Sequence, residues 1–127
     1  MRVFFTRGAS ILAAFLFSGL IVQQSNAQTK PPVYFIVEND ISDLHGYLTE
    51  YAPRARDMIR SIGGRYIAAG DATTFVGEPP KSRVAIFAFD SIEQIQTFLN
   101  SPEYKELKKV GDKYAKFRNY AVPGVQQ

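Results

Sequence analysis

The side chain best suited to proton transfer is that of His45, the single histidine of the 127-residue chain. Imidazole gains and loses a proton near neutral pH, which makes it the candidate acid or base of any reaction. His45 lies off the apolar stripe of its predicted helix, which favours a solvent-exposed position; the stripe consists of Leu44, Tyr47, Leu48 and Tyr51. At the mouth of a pocket it could instead move a proton, and both interpretations stay open.

Arg65 and Arg83 are candidates for holding an acidic ligand, because each begins a predicted strand. A planar guanidinium can donate two parallel hydrogen bonds to a carboxylate. The structural alternative is a pairing of these arginines with Asp71, Glu78 or Asp90, or simple exposure to solvent. A carboxylate ligand and an internal ion pair are therefore the alternatives at both positions.

Three tyrosines, Tyr34, Tyr66 and Tyr104, are candidates for orienting a small ligand. Tyrosine combines an apolar ring with a hydroxyl that needs a hydrogen-bond partner when it is buried. Each of the three could equally be a core residue whose hydroxyl lies at the rim. The sequence alone does not choose between these two roles.

Metal binding and covalent catalysis are poorly supported. The chain has no cysteine and one histidine, and its carboxylates show no cluster with the spacing of three or four ligands. No GxSxG or similar motif surrounds a serine, and Gly63-Gly64 alone does not make a phosphate loop. We expect neither a metal nor another cofactor.

The charge balance argues against a nucleic-acid partner. Arg2 and Arg7 account for two of the 15 basic residues, so residues 28–127 carry 13 basic against 12 acidic side chains and a net charge of +1. Nucleic-acid binding requires a strongly basic surface that neutralises phosphates. No such surface is predicted from this composition.

The N-terminal 27 residues are typical of an export signal. Arg2 and Arg7 precede an apolar run of 12 residues, Ile11 to Val22, and Ser25-Asn26-Ala27 offers the small residues of a cleavage site. The run is shorter than the ~20 residues that a membrane-spanning helix needs. We expect residues 1–27 to be a signal peptide and residues 28–127 to be one periplasmic domain without membrane contact; an uncleaved anchor or a buried helix is the alternative.

The elements that would position the candidate residues follow a strand-helix-strand-strand-helix-helix-strand order. The predicted strands are Val33–Val37, Arg65–Ala69 with a continuation at Thr73–Val76 after a bend, Arg83–Phe89 and Phe117–Val122. A turn is predicted at Asn39–Ser42, followed by an amphipathic helix that Ser42 caps, that Pro53 kinks near Tyr51 and that Gly63-Gly64 ends. Two more helices are predicted to begin after Asp90 or Ser91 and at Ser101-Pro102.

This order predicts a ferredoxin-like βαββαβ fold of the α+β class, with a four-stranded antiparallel sheet and helices on one face. In the strand from Arg83, the side that carries Val84, Ile86 and Ala88 is as apolar as the opposite side. An apolar sheet face needs a cover. We therefore expect a homodimer in which two sheets pack face to face and close toward a barrel.

From Tyr34 to about Val122 the sequence resembles the domain of unknown function 1330 family, a branch of the dimeric α+β barrel superfamily. The resemblance is carried by the opening YFIV, Asp43 with Tyr47, Ala52-Pro53, Gly63-Gly64-Arg65-Tyr66, Gly70, RVAIFAF from Arg83, and Ser101-Pro102-Glu103-Tyr104. It implies the dimeric fold, and it places Tyr66 and Tyr104 within family motifs. It implies no established activity.

Two functions remain open. The first is a binding or accessory homodimer that encloses a small apolar or acidic ligand in a pocket between sheet and helices. The second is a cofactor-independent enzyme, isomerase or monooxygenase-like, in which His45, a tyrosine or an arginine acts as acid, base or electrostatic clamp. A stable dimer that binds another protein is a third possibility.

Overall fold

A computed structural model describes residues 30–127, so the predicted signal peptide lies outside the described residues. The elements in chain order are β1 (Val33–Ile41), α1 (Leu44–Gly46), a π-helical segment (Tyr47–Tyr51), α2 (Ala52–Ser61), β2 (Arg65–Gly70), β3 (Arg83–Phe89), α3 (Ile92–Asn100), α4 (Pro102–Gly111) and β4 (Ala115–Pro123). Among residues 30–127, no helix has the length and apolar character needed to cross a membrane.

The four strands form one antiparallel sheet in the order β2-β3-β1-β4, with β1 between β3 and β4. The predicted ferredoxin-like α+β fold is confirmed. Side chains alternate between the two faces of a strand, and Phe35, Phe87 and Phe89 all point to the face that the helices cover. Phe89 has no exposed surface, so the centre of the core lies under α3.

The opposite side of the sheet, the open face, is apolar, and no part of residues 30–127 covers it. Ile36 lies at its centre, directly opposite Ile86 on β3 and Tyr120 on β4. Tyr34 and Val122 form the next opposed pair on the same face. Tyr120 and Val122 are 41% and 46% exposed, which is high for ring and branched side chains in a strand.

The end of β1 and the beginning of β4 both differ from the prediction. The predicted turn at Asn39–Ser42 is wrong, because β1 continues to Ile41 and pairs with β4 along its whole length. Ser82 stabilises this extension, since its Oγ accepts from Ile41 N at 3.1 Å and donates to Asn39 O at 2.9 Å. Consequently β4 also begins earlier than predicted, at Ala115.

The first helix is capped by Asp43 rather than by the predicted Ser42. Asp43 Oδ1 accepts a hydrogen bond from Gly46 N at 3.0 Å. The helix then widens into the π-helical segment, where Ala52 N donates to Tyr47 O across five residues. Pro53 follows at once, and its missing N–H explains why the departure from regular α-helix falls near Tyr51, as the sequence predicts.

Serine caps fix the starts of α3 and α4. Ser91 Oγ accepts from Gln94 N at 3.2 Å, and Gln94 Oε1 accepts in return from Asp90 N at 2.9 Å. Ser101 Oγ accepts from Tyr104 N at 3.2 Å and donates to the last turn of α3 at 2.8 Å. This second cap holds Tyr104 in the first turn of α4, where its ring is buried.

Residues 71–82, the arm, connect β2 to β3. The predicted strand at Thr73–Val76 is wrong, because β2 ends at Gly70, whose φ of +155° is one that other residues rarely adopt. Phe75 and Val76 at the tip of the arm are 92% and 93% exposed. The arm therefore adds no apolar contact of consequence to the core of its own chain.

Candidate functional site

A cavity of about 100 Å³, the pocket, lies between the helix-covered face of the sheet and the segment that runs from Tyr47 into α2. Its walls are mostly aromatic. The rings that line it are Phe35, Tyr47, Tyr51, Tyr66, Phe87, Phe98 and Tyr104. Leu48 and Tyr66 lie at the mouth, where they are 42% and 44% exposed.

The charged side chains that line the pocket are both arginines, Arg56 from α2 and Arg83 from β3. No carboxylate lines it. Within the described part of the chain, neither arginine has an acidic side chain within ion-pairing distance. The Arg56 guanidinium lies 5.7 Å from the centre of the Tyr66 ring, which holds it at the mouth. The pocket is therefore positive and apolar at once.

Asn39 and Tyr47 form the polar contact on the sheet side of the pocket. Asn39 is 1% exposed, and its Nδ2 donates to Tyr47 Oη at 2.8 Å. Because the tyrosine oxygen accepts this bond, the hydroxyl proton of Tyr47 is free to be donated elsewhere. Burial raises the pKa of the Tyr47 phenol, and the charge of Arg83 offsets part of that rise. Tyr47 is therefore a protonated donor at physiological pH.

A second polar contact joins Tyr51 and Tyr104, whose hydroxyl oxygens lie 3.2 Å apart. Burial raises the pKa of Tyr51, and the Tyr104 hydroxyl beside it adds to the rise. Burial also raises the pKa of Tyr104. Both phenols therefore stay neutral, and they can act on a ligand as hydrogen-bond partners but not as phenolate bases.

Two glycines allow the rings of Tyr51 and Tyr114 to pack closely against the backbone. A Cβ at Gly111, the last residue of α4, would lie 2.6 Å from Cδ2 of Tyr51. A Cβ at Gly46 would lie closer still to the ring of Tyr114, which covers the start of the π-helical segment. Tyr114 Oη also donates to Glu50 Oε2 at 2.7 Å. Close backbone packing at both ends thus fixes the segment that carries Tyr47 and Tyr51.

The structure brings together three of the ligand candidates that the sequence predicts. Tyr66, Arg83 and Tyr104 all line the pocket. Tyr34 instead lies on the open face, where it pairs with Val122 across the strands. Tyr66, Arg83 and Tyr104 therefore share one site, to which Tyr34 does not belong.

Arg65 and His45 lie outside the pocket. Arg65 Nη1 is 3.4 Å from Asp90 Oδ1, so this arginine adopts one of the structural pairings considered from the sequence. His45 is exposed on α1, as its position off the apolar stripe favours. Arg83, by contrast, forms no such pairing among the described side chains and faces the pocket.

Five further polar residues line the pocket that were not predicted as ligand candidates: Asn39, Tyr47, Tyr51, Arg56 and Asn119. Asn39 was assigned to a turn, which concealed its place on the helix-covered face of β1. Tyr47 and Tyr51 were recognised as part of an apolar helix stripe, where a core role is the ordinary expectation. Their spacing of four residues was the available signal, because it places both hydroxyls on the same side of one helix.

Metal ligation finds no site among residues 30–127, where no group of three or more His, Asp or Glu side chains is placed to hold an ion. The polar groups of the pocket are guanidinium, amide and phenol. Guanidinium is not a metal ligand, and neutral phenols are poor ones. What this set can do is donate hydrogen bonds and positive charge to a bound anion.

The sequence matches the family described as Domain of unknown function (DUF1330) over residues 32–125. The chain belongs to the DUF1330 family. The match covers the whole sheet and all the helices of the described fold, so the resemblance seen in the sequence motifs is confirmed. No curated protein matches this DUF1330 chain significantly.

Solved structures with the same fold are distant in sequence. A protein of unknown function from Rhodopseudomonas palustris is 13% identical, with a TM-score of 0.60, over 77% of this DUF1330 chain and 85% of its own. SnoaB, a cofactor-independent oxygenase from Streptomyces nogalater, is 9% identical, with a TM-score of 0.57, over 76% and 96%. A dimeric protein of unknown function and ferredoxin-like fold from Bacteroides fragilis is 15% identical, with a TM-score of 0.41, over 73% and 94%. These likenesses concern the fold.

Proposed function

We propose that this protein is an exported homodimer that binds a small molecule in the pocket of each chain. The observation that carries the proposal is the pairing of aromatic walls with two arginines, Arg56 and Arg83, that have no acidic partner among the described side chains. An enclosed apolar cavity with a few convergent polar groups is the usual form of a ligand site. Uncompensated guanidinium groups beside such a cavity favour a bound anion.

The open face supports the homodimer. The row Ile36, Ile86 and Tyr120 is continuous across three strands and has no cover from the residues that the structure describes. A second copy supplies the same apolar row and can meet it around a twofold axis. We expect this interface to bury about 1,200 Å² or more in total, the size that stable pairs require.

Native mass spectrometry of the full-length gene product, purified from the periplasmic fraction of an expressing bacterium, tests both parts. A dimer that carries a reproducible additional mass supports the pocket and the pairing, and the mass leads to the ligand. A bare monomer contradicts the pairing of open faces. The same spectra report export, because cleavage after Ala27 leaves a chain that begins at Gln28, whereas an intact N-terminus contradicts a cleaved signal.

A cofactor-independent enzyme, isomerase or monooxygenase-like, is the second candidate. It is favoured by three protonated phenols, Tyr47, Tyr51 and Tyr104, which line one cavity and could stabilise an oxyanion that develops on a substrate. SnoaB is a cofactor-independent oxygenase with this fold. Because fold does not determine function, this argument is weaker than that for binding.

Incubation of the co-purified molecule with the protein in air distinguishes the binding function from the enzymatic one. Product formation or O₂ uptake above that of a boiled sample supports the enzyme. The variants Tyr47→Phe and Arg83→Ala then divide the roles, with His45→Ala outside the pocket as the control: lost turnover at unchanged affinity indicates catalysis, whereas lost affinity alone indicates binding. An unchanged molecule and no O₂ uptake leave binding as the function.

A further inference from the structure

Asn39 and Arg83 are nearest neighbours on the helix-covered face of the sheet. They lie directly opposite each other on β1 and β3, so their Cβ atoms are about 5 Å apart, and both line the pocket. Asn39 in turn donates to Tyr47 Oη at 2.8 Å. The sheet thus groups three side chains, one cationic donor, one hydroxyl donor and the amide that orients the hydroxyl.

The amide of Asn39 is an unusual feature for a core. Its Oδ1 has no hydrogen-bond partner among the described residues, although the side chain is almost fully buried. An unpaired buried polar atom destabilises a fold, and such atoms occur where they serve a site. The ordinary alternative at this position is an apolar residue, like Val37 two places earlier on the same face. An amide at this position is therefore explained by the Tyr47 hydroxyl to which its Nδ2 donates, whereas Oδ1 is left without a partner among the described residues.

From this grouping we infer that the ligand is a small carboxylate with one planar ring, whose carboxylate is bound by the Arg83 guanidinium and the Tyr47 hydroxyl. Both groups donate, and no carboxylate side chain lines the pocket to compete for them or to bind a cation. Asn39 is a positioning residue, because it occupies the acceptor side of Tyr47 and leaves the proton for the ligand. This inference rests on the proposed binding function and narrows it to one class of molecule.

The size and the aromatic walls of the pocket limit the part of the ligand that lies beyond its carboxylate. The cavity of about 100 Å³ is smaller than the space of about 150 Å³ that accepts benzene in an engineered apolar core, so it has room for no more than one ring. Tyr66 and Phe87, with ring centres 5.2 Å apart, offer the faces on which such a ring would stack. Larger substituents would extend out of the pocket through the mouth between Leu48 and Tyr66, where both side chains are half exposed.

Isothermal titration of the purified dimer with benzoate, benzamide and acetate tests the inference. Benzamide keeps the ring and loses the charge, whereas acetate keeps the charge and loses the ring. Benzoate is expected to bind about tenfold or more tightly than either, because a hydrogen bond to a charged group is stronger than one to a neutral group. Equal affinity for benzoate and benzamide would overturn the inference that the ligand is a carboxylate, and would leave the proposed binding pocket in place.

Variants locate the carboxylate. Arg83→Gln and Tyr47→Phe should each lower the affinity for benzoate about tenfold and leave the affinity for benzamide nearly unchanged. Asn39→Asp, of almost the same shape, should reverse the preference toward benzamide, since it places a negative charge beside Arg83 and accepts the Tyr47 proton. Arg65→Gln is the matched control: this arginine pairs with Asp90 outside the pocket, and its loss should change no affinity.

The remaining outcomes separate the two levels of proposal. Unchanged benzoate binding in both Arg83→Gln and Tyr47→Phe would overturn the assigned carboxylate site. Failure of every probe to bind a dimer that carries a different molecule in native mass spectrometry would overturn the ligand class alone. Failure of every probe together with a bare dimer would overturn the binding function as well. Asn39→Asp could fail to fold, but Tyr47→Phe tests the same hydroxyl without introducing a charge.

Discussion

Tyr51 and Tyr104 join the two apolar clusters of the fold through their hydroxyl groups, which lie 3.2 Å apart. Tyr104 belongs to the cluster around Phe35 and Phe89, and Tyr51 to the cluster around Leu107. The two residues are 53 positions apart in the chain, so their contact ties the first helical unit to the second. It also closes one end of the pocket.

Removal of this bond should reduce stability in a non-additive manner. Tyr51→Phe and Tyr104→Phe should each lower the free energy of unfolding by about 1 kcal/mol, because each leaves the other buried hydroxyl without its partner. The double variant should cost less than the sum of the two, since no unpaired hydroxyl remains. Urea unfolding measures all three. Tyr66→Phe, at a ring that is 44% exposed, is the control and should change stability by no more than about 0.5 kcal/mol; additive effects would show that the hydroxyls do not interact.

The buried phenols predict a loss of stability at alkaline pH. Burial raises the pKa of Tyr47, Tyr51 and Tyr104, so as pH rises the unfolded chain releases these protons first, near the ordinary tyrosine pKa of about 10. Their contribution is fully present below about pH 10 and is lost above it, by about 1.4 kcal/mol per pH unit for each phenol that stays protonated in the folded state. Urea midpoints between about pH 8 and pH 11 measure this slope, which should be shallower in the Tyr51→Phe/Tyr104→Phe double variant. Equal slopes would contradict the role of these two groups.

Gly111→Ala should destabilise the protein although alanine is the better helix former. The added methyl would lie 2.6 Å from Cδ2 of Tyr51 and 2.9 Å from Cζ of Phe117, so the tyrosine must move. Overpacking of this kind costs about 1 to 3 kcal/mol, more than the gain of about 1 kcal/mol in helix propensity. Thermal unfolding measures the net effect, with Lys105→Ala on the exposed side of α4 as the control. A stabilised Gly111→Ala variant would show that Tyr51 yields without cost.

Ile86→Glu should separate the proposed dimer into folded single chains. The glutamate would place an unpaired charge at the centre of the open face, beside Ile36, where a second sheet would have to desolvate it. Size-exclusion chromatography with light scattering measures the mass, and circular dichroism checks that the chain stays folded. Thr97→Glu, exposed on α3, is the matched control and should leave the mass unchanged. An intact dimer of Ile86→Glu would place the interface elsewhere.

The fold could be predicted from the sequence because local signals agreed with one another. The serine caps at Ser91 and Ser101 and the alternation in β3 each predict the observed element. The errors fall where tertiary pairing overrides local preference. Asn39 lies in a run that favours a turn, yet β4 and Ser82 together hold it in a strand.

The pocket was only partly predictable, because its residues come from all four strands and from several helical elements that are far apart in the sequence. Arg83 and Tyr66 carry a visible signal, since each lies at or near the start of a strand in a family motif. The orientation of Tyr47 depends on a widened helical turn and on a hydrogen bond from Asn39, neither of which a periodic pattern reveals. Arg65 and Arg83 look alike in sequence, but the strand register places Arg65 on the open face opposite Ala88, where it also pairs with Asp90, and Arg83 on the helix-covered face opposite Asn39.

Strand β2 pairs irregularly with β3, because the register shifts between Tyr66 and Ala68 and leaves Ile67 in a β-bulge. This outer strand therefore presents an irregular ladder to solvent. At the other margin of the sheet, exposed Lys116 and Pro123 make β4 an equally poor template. Strand-by-strand growth into a fibre is therefore blocked at both margins, and the protein should remain in solution at concentrations where a flat-edged sheet of the same apolar content would aggregate.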